Sequence, residues 1–266
     1  MKQNFNYHGH TKRCGHAVGE DEEYVQAAIA AGYSIIGFSD HAPYPGQYHA
    51  QERMDVGELD DYICSIKELQ QKYQGQIDIY IGMEIENYQA YKKELKQYRD
   101  MLDYCIIGQH SMALRDGNAV GDYYVENDDA HVLLYAGQIK EALEEGLADI
   151  VAHPDLFMFG RREWNETCEM ATEMICDAAL KANAVLEVNL GGIKYGKRTL
   201  GRETRLPYPY RRFWEIVERK GNSVIYGLDV HAPQQYLQED NFAIVDAVIQ
   251  GLSLHFVDDL RFSHKL

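Results

Sequence analysis

The histidines and several carboxylates of this 266-residue chain fall in short clusters, most of them just after an apolar run. Tyr7-His8-Gly9-His10 is followed by Cys14-Gly15-His16, and Ile35 to Ser39 leads into Asp40-His41. Ile77 to Met83 ends at Glu84, and Cys105 to Gly108 leads into Gln109-His110. Ile150-Val151-Ala152 precedes His153-Pro154-Asp155, and Ile225 to Leu228 precedes Asp229-Val230-His231. Residues i and i+2 of an extended strand share a face, so His8 and His10 can reach one ion. Imidazoles and carboxylates together suit zinc, iron or manganese. A single histidine at a strand end is most simply a hydrogen-bonded structural residue. Ligand-type side chains after six of seven apolar runs are not explained that way, and the pattern reads as a multinuclear metal site.

The elements that must position these residues follow from hydrophobic spacing. Strands are expected at Phe5–His8, Ser34–Ser39, Ile77–Met83, Tyr104–Gly108, Asp149–Ala152, Val185–Asn189 and Ser223–Leu228. Helices are expected near 21–31, 57–73, 90–102, 129–145, 165–182, 208–220 and 240–250. In the fourth of these, Val132, Ala136, Ile139 and Leu143 lie on one face, with Asp129 as N-cap and Gly146 as stop. Tyr24/Ala28, Leu59/Ile63/Ile66 and Met170/Met174 are expected to face the core. Strands alternating with helices imply a parallel sheet with crossover helices. No Gly-rich dinucleotide fingerprint follows a strand, so a closed or nearly closed (β/α)7 barrel fits better than an open doubly wound sheet. In such a barrel the C-terminal strand ends converge on one mouth, where active sites are built. One domain, 1–266, is expected. The stretch 190–207, with Gly191, Gly192, Gly196 and Gly201 among Lys194, Lys197, Arg198, Arg202 and Arg205, reads as a long functional loop.

Composition narrows the function classes. The hydrophobic content of 45% supports a sizeable core and excludes a disordered chain. No apolar run is long enough for a membrane helix, and the N-terminus lacks the apolar segment of a signal peptide. With 26 Lys+Arg against 42 Asp+Glu, the net charge of −16 gives no attraction for nucleic acid or anionic lipid. A phosphorylated substrate therefore needs a strong local positive field. The five cysteines are odd in number and contain no Cys-x-x-Cys pair, which points to a reducing compartment, with the cytoplasm as the default.

The motifs His8-x-His10, Cys14-x-His16, Gly37-Phe38-Ser39-Asp40-His41, Gly82-Met83-Glu84, Gly108-Gln109-His110, Ala152-His153-Pro154-Asp155 and Gly227-Leu228-Asp229-Val230-His231 resemble, in order, those of PHP-type phosphoesterases. The segment ending Phe38-Ser39-Asp40-His41-Ala42-Pro43 is especially similar to PHP-type histidinol-phosphate phosphatases. The resemblance runs from about residue 8 to 235. It implies a distorted, TIM-like (β/α)7 barrel of the PHP fold with two to three divalent transition metal ions (Zn, Fe or Mn). It assigns one ion to His8, His10, Glu84 and Asp229, and a second to Glu84 as bridge with His110 and His153. A third goes to His16, His41 and His231.

The same resemblance implies two cations on the substrate phosphate: Arg161 after the His-Pro-Asp motif, and Lys194 or Arg198 after Asn189-Leu190-Gly191-Gly192. Lys194 stands where the family carries arginine, and offers a point charge in place of a bidentate fork. Asp229 or His231 is expected to help protonate the leaving group, although a metal-bound water could serve. The expected activity is hydrolysis of L-histidinol phosphate in histidine biosynthesis, a small-molecule reaction without nucleic-acid or membrane partners. The alternatives are another phosphomonoester or nucleotide diesters as substrate, or a non-catalytic metal-binding module. His49, His131, His255 and His264 lie off the pattern and are read as surface or packing residues, and Cys14 as a small loop residue. Asp40 either supports its neighbour His41 or caps a turn, and Tyr44, Tyr48, Tyr208 and Tyr210 are rim candidates.

Overall fold

Seven short parallel strands form the centre of the computed structural model, which describes residues 2–44, 50–113 and 119–264. They are β1 (Phe5–Asn6), β2 (Ile35–Phe38), β3 (Asp78–Ile81, resumed at Glu84–Ile85), β4 (Ile106–Ile107), β5 (Ile150–Val151), β6 (Val185–Asn189) and β7 (Ser223–Gly227). The regular strands are mostly shorter than hydrophobic spacing predicts. The pairing runs β1-β2-β3 and then, from the resumed end of β3, through β4, β5, β6 and β7. A bridge between His41 and Glu84 carries the sheet across the break in β3, and Ala42 N–H donates to Glu84 O at 2.9 Å. His49 and Tyr48 lie outside the described residues.

The seam between β7 and β1 closes the ring in an unusual way. At its upper end Gly9 bridges Val230, with His10 N–H donating to Val230 O at 2.8 Å. Lower down, side-chain amides replace the ladder. Gln3 donates to Tyr226 O at 2.8 Å and accepts from Tyr226 N–H at 2.9 Å, while Asn6 Oδ1 accepts from Leu228 N–H at 3.0 Å. A short outer strand, His255–Phe256, pairs with the start of β7. The barrel is therefore closed but distorted, and each buried polar group at the seam that these contacts name is satisfied, as burial requires.

One cluster of apolar side chains draws Phe5 and Tyr7, Ile35, Tyr80, Ile106, Ile150, Val185 and Ile225 from the seven strands and fills the barrel interior. Tyr104, buried there, donates to Tyr7 O at 2.6 Å, and Phe262 from the C-terminal segment stacks on its ring at 5.1 Å. A larger cluster lies between the strands and the helices α1 (Asp21–Ala30), α2 (Leu59–Lys72), α3 (Lys92–Met101), α4 (Asp129–Glu144), α5 (Glu166–Ala182), α6 (Arg211–Lys220) and α7 (Asp240–Ile249).

The expected α4 stripe is buried in full. Its N-cap is Asp128 rather than Asp129, with His131 completing a capping box. On α5 the expected inward stripe holds at Met174, which is partly buried against the core, but not at Met170, which is 54% exposed; Cys168, Ala171, Ile175 and Ala179 complete the buried face. Stretch 190–207 is not an open loop. It holds a turn at Gly191–Tyr195 and an antiparallel hairpin pairing Arg198–Leu200 with Glu203–Arg205. Among the described residues no helix is long and apolar enough to cross a membrane.

Candidate metal centre

The nine ligand-type residues named from the sequence converge at the C-terminal mouth of the barrel. Glu84, 1% exposed, lies at their centre. Its Oε1 is 3.1 Å from His153 Nε2 and 3.5 Å from His110 Nε2. Its Oε2 is 3.5 Å from His8 Nε2, 3.4 Å from His10 Nε2 and 2.9 Å from His41 Nδ1. The two oxygens thus face different histidine groups, the arrangement a bridging carboxylate needs. Strand β4 passes so close that a Cβ on Gly108 would lie 1.8 Å from Glu84 Oε1, so only glycine fits there.

Asp229 Oδ1 lies 3.3 Å from His10 Nε2 and 3.6 Å from His8 Nε2. His16 and His231 close the outer side with their Nε2 atoms 2.9 Å apart. Ligand atoms within 4.8 Å of one another include the sets His8/His10/Asp229, His8/Glu84/His153 and His10/His41/His231. Cys14, buried, forms a further such set with His16 and His231, and burial pushes its thiol up to about 12. Both His153 and Asp229 hold positive φ (30° and 52°), a region that non-glycine residues rarely adopt and that tends to mark functional sites.

Backbone and carboxylate partners fix the imidazole rings from behind. His16 Nδ1 contacts Cys14 O at 3.0 Å, His231 Nδ1 contacts Asp229 O at 2.9 Å, and His8 Nδ1 contacts Glu187 at 2.9 Å. His110 Nδ1 lies 3.2 Å from Glu86, which also pairs with Arg53. Each Nδ1–H is donated outward, so each Nε2 lone pair points into the cluster. The Nε2 atoms of His8 and His10, and those of His110 and His153, lie 3.2 Å apart, while His10 Nδ1 and His153 Nδ1 are buried without a hydrogen bond. Glu84 Oε2 and His41 Nδ1 are buried without a hydrogen bond. Cations between these atoms would satisfy them all, so the residues fit a divalent-metal site.

The carboxylates of the cluster are held ionised, while its imidazoles divide. Burial raises Glu84 and Asp229, but the surrounding histidines outweigh it and hold both carboxyls well below their usual range. Burial and the neighbouring His10 push His231 down to about 3, and burial holds His41 well below its usual value. His8 goes the other way: burial opposes its charge, but Glu187, Asp229 and Glu84 raise it. Asp40, which accepts from Thr11 N–H and Oγ1–H at 2.8 Å each, is raised by burial to about 7 and braces the loop bearing His10 and Cys14.

A cavity of about 340 Å³ opens over the cluster, lined by Glu84, His110, Asp229 and His231 and rimmed by Arg53, Tyr124, Phe159, Lys194 and Tyr195. Three cations named from the sequence separate here. Lys194 lies on the cavity wall; burial works against its charge, but Asp229 and Tyr195 hold the ammonium above its usual value. Arg198, on the hairpin, stacks at 4.9 Å over the Phe159 ring, which lines the cavity. Arg161 does not face the cluster: its guanidinium pairs with Asp129 at 2.6 Å and donates to Asn127 O, lining a different cleft. With Asp128 capping α4, Asp129 is left to capture it. Tyr44, Tyr208 and Tyr210 are buried rather than on the rim, where Tyr124 and Tyr195 stand instead. Sequence reasoning missed Glu187, Glu86 and Arg53. A signal existed for two of them: Glu86 follows Glu84 at i+2, and Glu187 interrupts an apolar strand.

Comparison with known proteins agrees with this architecture. The model of the PHP domain family matches residues 6–190. A Deinococcus radiodurans protein named "Probable histidinol-phosphatase" is 28% identical over 248 residues, 91% of this chain and 90% of that one. The Bacillus subtilis histidinol-phosphatase is 26% identical over 148 residues, 52% of this chain and 55% of its own. The crystal structure of histidinol phosphate phosphatase from Lactococcus lactis, complexed with Zn, L-histidinol and phosphate, superposes with a TM-score of 0.70 at 17% identity, covering 96% of this chain and 95% of that one. The barrel, its strand-end histidines and the match over residues 6–190 together place this chain in the PHP domain family.

Proposed function

We propose that this protein is a metal-dependent phosphomonoesterase that hydrolyses L-histidinol phosphate to L-histidinol and inorganic phosphate. The observation that carries the reading is the convergence of nine ligand-type side chains on one bridging carboxylate, Glu84, beneath an open cavity. The names of the D. radiodurans and B. subtilis relatives, and the ligands of the L. lactis structure, support the substrate. Two to three divalent ions of zinc, iron or manganese are proposed, held by His8, His10, His16, His41, Glu84, His110, His153, Asp229 and His231. Bound there, such ions supply an acidified water and positive charge for the phosphoryl oxygens.

The chain's own residues set the rest of the chemistry. Lys194 is proposed as the cation that orients the phosphate, with Arg198 on the hairpin as the other candidate and Arg161 displaced from the pocket. Tyr124, Phe159 and Tyr195 form an aromatic wall suited to the flat imidazole of the substrate. His231 is a poor proton carrier, since its Nδ1 is committed to Asp229 O and its Nε2 to the cluster. Asp229 is better placed: its Oδ2 faces the Gly191–Tyr195 turn, where a Cβ on Gly191 would meet it at 2.3 Å. That oxygen is proposed to take a proton from the attacking water and pass it to the departing alkoxide. A reducing, cytoplasmic setting is part of the proposal, in keeping with five free thiols.

The test is a panel of phosphorylated metabolites and nucleotide diesters, with and without a chelator. The expected result is chelator-sensitive turnover with histidinol phosphate far ahead of the rest. Preference for another phosphomonoester or for a diester would move the substrate, and no turnover at all with metal bound would leave a binding module.

A further inference from the structure

Glu187 stands in β6, wholly buried, with no counterpart in the ligand set. Both its oxygens reach His8 Nδ1, at 2.9 and 3.0 Å, and among the described residues its ion-pair partner is that imidazole. Asn189, two residues on, donates to Glu187 Oε1 at 2.5 Å and accepts from Gly191 N–H at 2.6 Å. Strand β7 makes room for the carboxylate, since a Cβ on Gly227 would lie 1.9 Å from Glu187 Cδ. The interior thus carries a continuous relay from the Gly191–Tyr195 turn through Asn189 and Glu187 to His8.

The other carboxylate–histidine pair of the site differs. Glu86, behind His110, shares its charge with Arg53 and accepts from Tyr88 O–H at 2.6 Å. An imidazole backed by a carboxylate that a guanidinium already neutralises is the weaker donor of the two. Side-chain exposure follows the same order, 0% for His8 and 15% for His110.

We propose that Glu187 is a positioning residue that fixes the orientation of His8 and strengthens it as a ligand, making the His8 side of the cluster the tight metal position and the His110 side the exchangeable one. The inference rests on the metal-dependent reading above. Outer partners of this kind typically contribute about 10–100-fold in metal affinity.

The experiment titrates Co2+-loaded wild type and Glu187→Gln against a chelator and records their absorption spectra, together with thermal melting of both metal-free proteins. The expected result is unchanged melting of the metal-free variant, an altered Co2+ spectrum, and a tightest Co2+ held about 10–100-fold more weakly. Wild-type affinity and spectrum in Glu187→Gln overturn the inference while leaving the metal-dependent reading intact. A wild type that binds no Co2+ overturns that reading and the inference with it. Should Glu187→Gln fail to fold, Asn189→Ala decides by releasing the carboxylate's other partner: weakened Co2+ binding supports the relay, and wild-type affinity overturns it.

Discussion

At the strand ends, Glu84, His8, His10 and His153 are at most 1% exposed, and Glu84 lies 3.1–3.5 Å from each of the three histidines, which come from strands far from it in sequence. Beyond the strand ends, Lys194 on a turn, Arg198 on a hairpin strand and Arg161 after β5 end in three different places: on the cavity wall, over an aromatic ring, and in an ion pair elsewhere. The difference lies in what holds each set. Strand-end side chains inherit their position from the barrel ladder, which admits little choice. A long cation on a loop goes to whichever carboxylate or ring is nearest, and an exposed ion pair gains only about 0–1 kcal/mol from any one partner. The floor of the site is rigid, and its rim is contingent.

Experiments can break or sharpen this contrast. The largest effect is expected from stripping the floor altogether. Purified protein should carry two to three equivalents of transition metal by elemental analysis, and strong chelation should abolish turnover; active protein with less than one equivalent would sink the multinuclear site. Next comes Glu84→Gln. Removing one partner from a buried charge network costs about 3–5 kcal/mol, roughly 10²–10⁴-fold if it appears in turnover, and should lower metal content at more than one position. Undiminished activity would refute the bridge.

His16→Ala tests the outer side of the same floor. His16 contacts His231 but not Glu84 in this geometry, so the variant should lose mainly one equivalent of metal and keep residual hydrolysis above that of Glu84→Gln. If it falls as low as Glu84→Gln, the inner and outer positions do not act separately.

The rim gives smaller effects. Lys194→Ala should lose about ten- to a hundredfold in kcat/KM at full metal content, since a charge-assisted contact is worth about 1.5–3 kcal/mol. Arg198→Ala measured alongside decides between the two cations, because only one should show such a loss. Arg161→Ala is expected to change kcat/KM least, because its guanidinium is held by Asp129 and Asn127 O in a cleft apart from the cavity. A tenfold or larger loss would mean that the guanidinium leaves Asp129 for the substrate, and would move Arg161 back to the rim.

Much of the floor was legible in the residues alone. Seven apolar runs gave seven strands, and a ligand-type residue following a run lands at a strand's C-terminal end because parallel βα units point every strand the same way. The outward bracing was harder to see. Glu187 and Glu86 meet His8 and His110 across strands, and no local spacing encodes which buried carboxylate faces which imidazole. Arg53 was missed because it belongs to a loop with no apolar periodicity to anchor it.

The sequence by itself determined the order of strands and helices, the parallel barrel, and the identity of the residues gathered at its mouth. These follow from hydrophobic period and chain direction, which are local properties repeated along the chain. Only the tertiary structure decided that Gln3 and Asn6 would complete the β1–β7 seam, that Asp128 rather than Asp129 would cap α4, and that Arg161 would therefore turn to Asp129 while Lys194 faced the cavity. The seam and the Arg161 pair are competitions between partners distant in sequence and the cap is one between neighbours, each settled by which polar group the folded backbone brings within hydrogen-bonding distance.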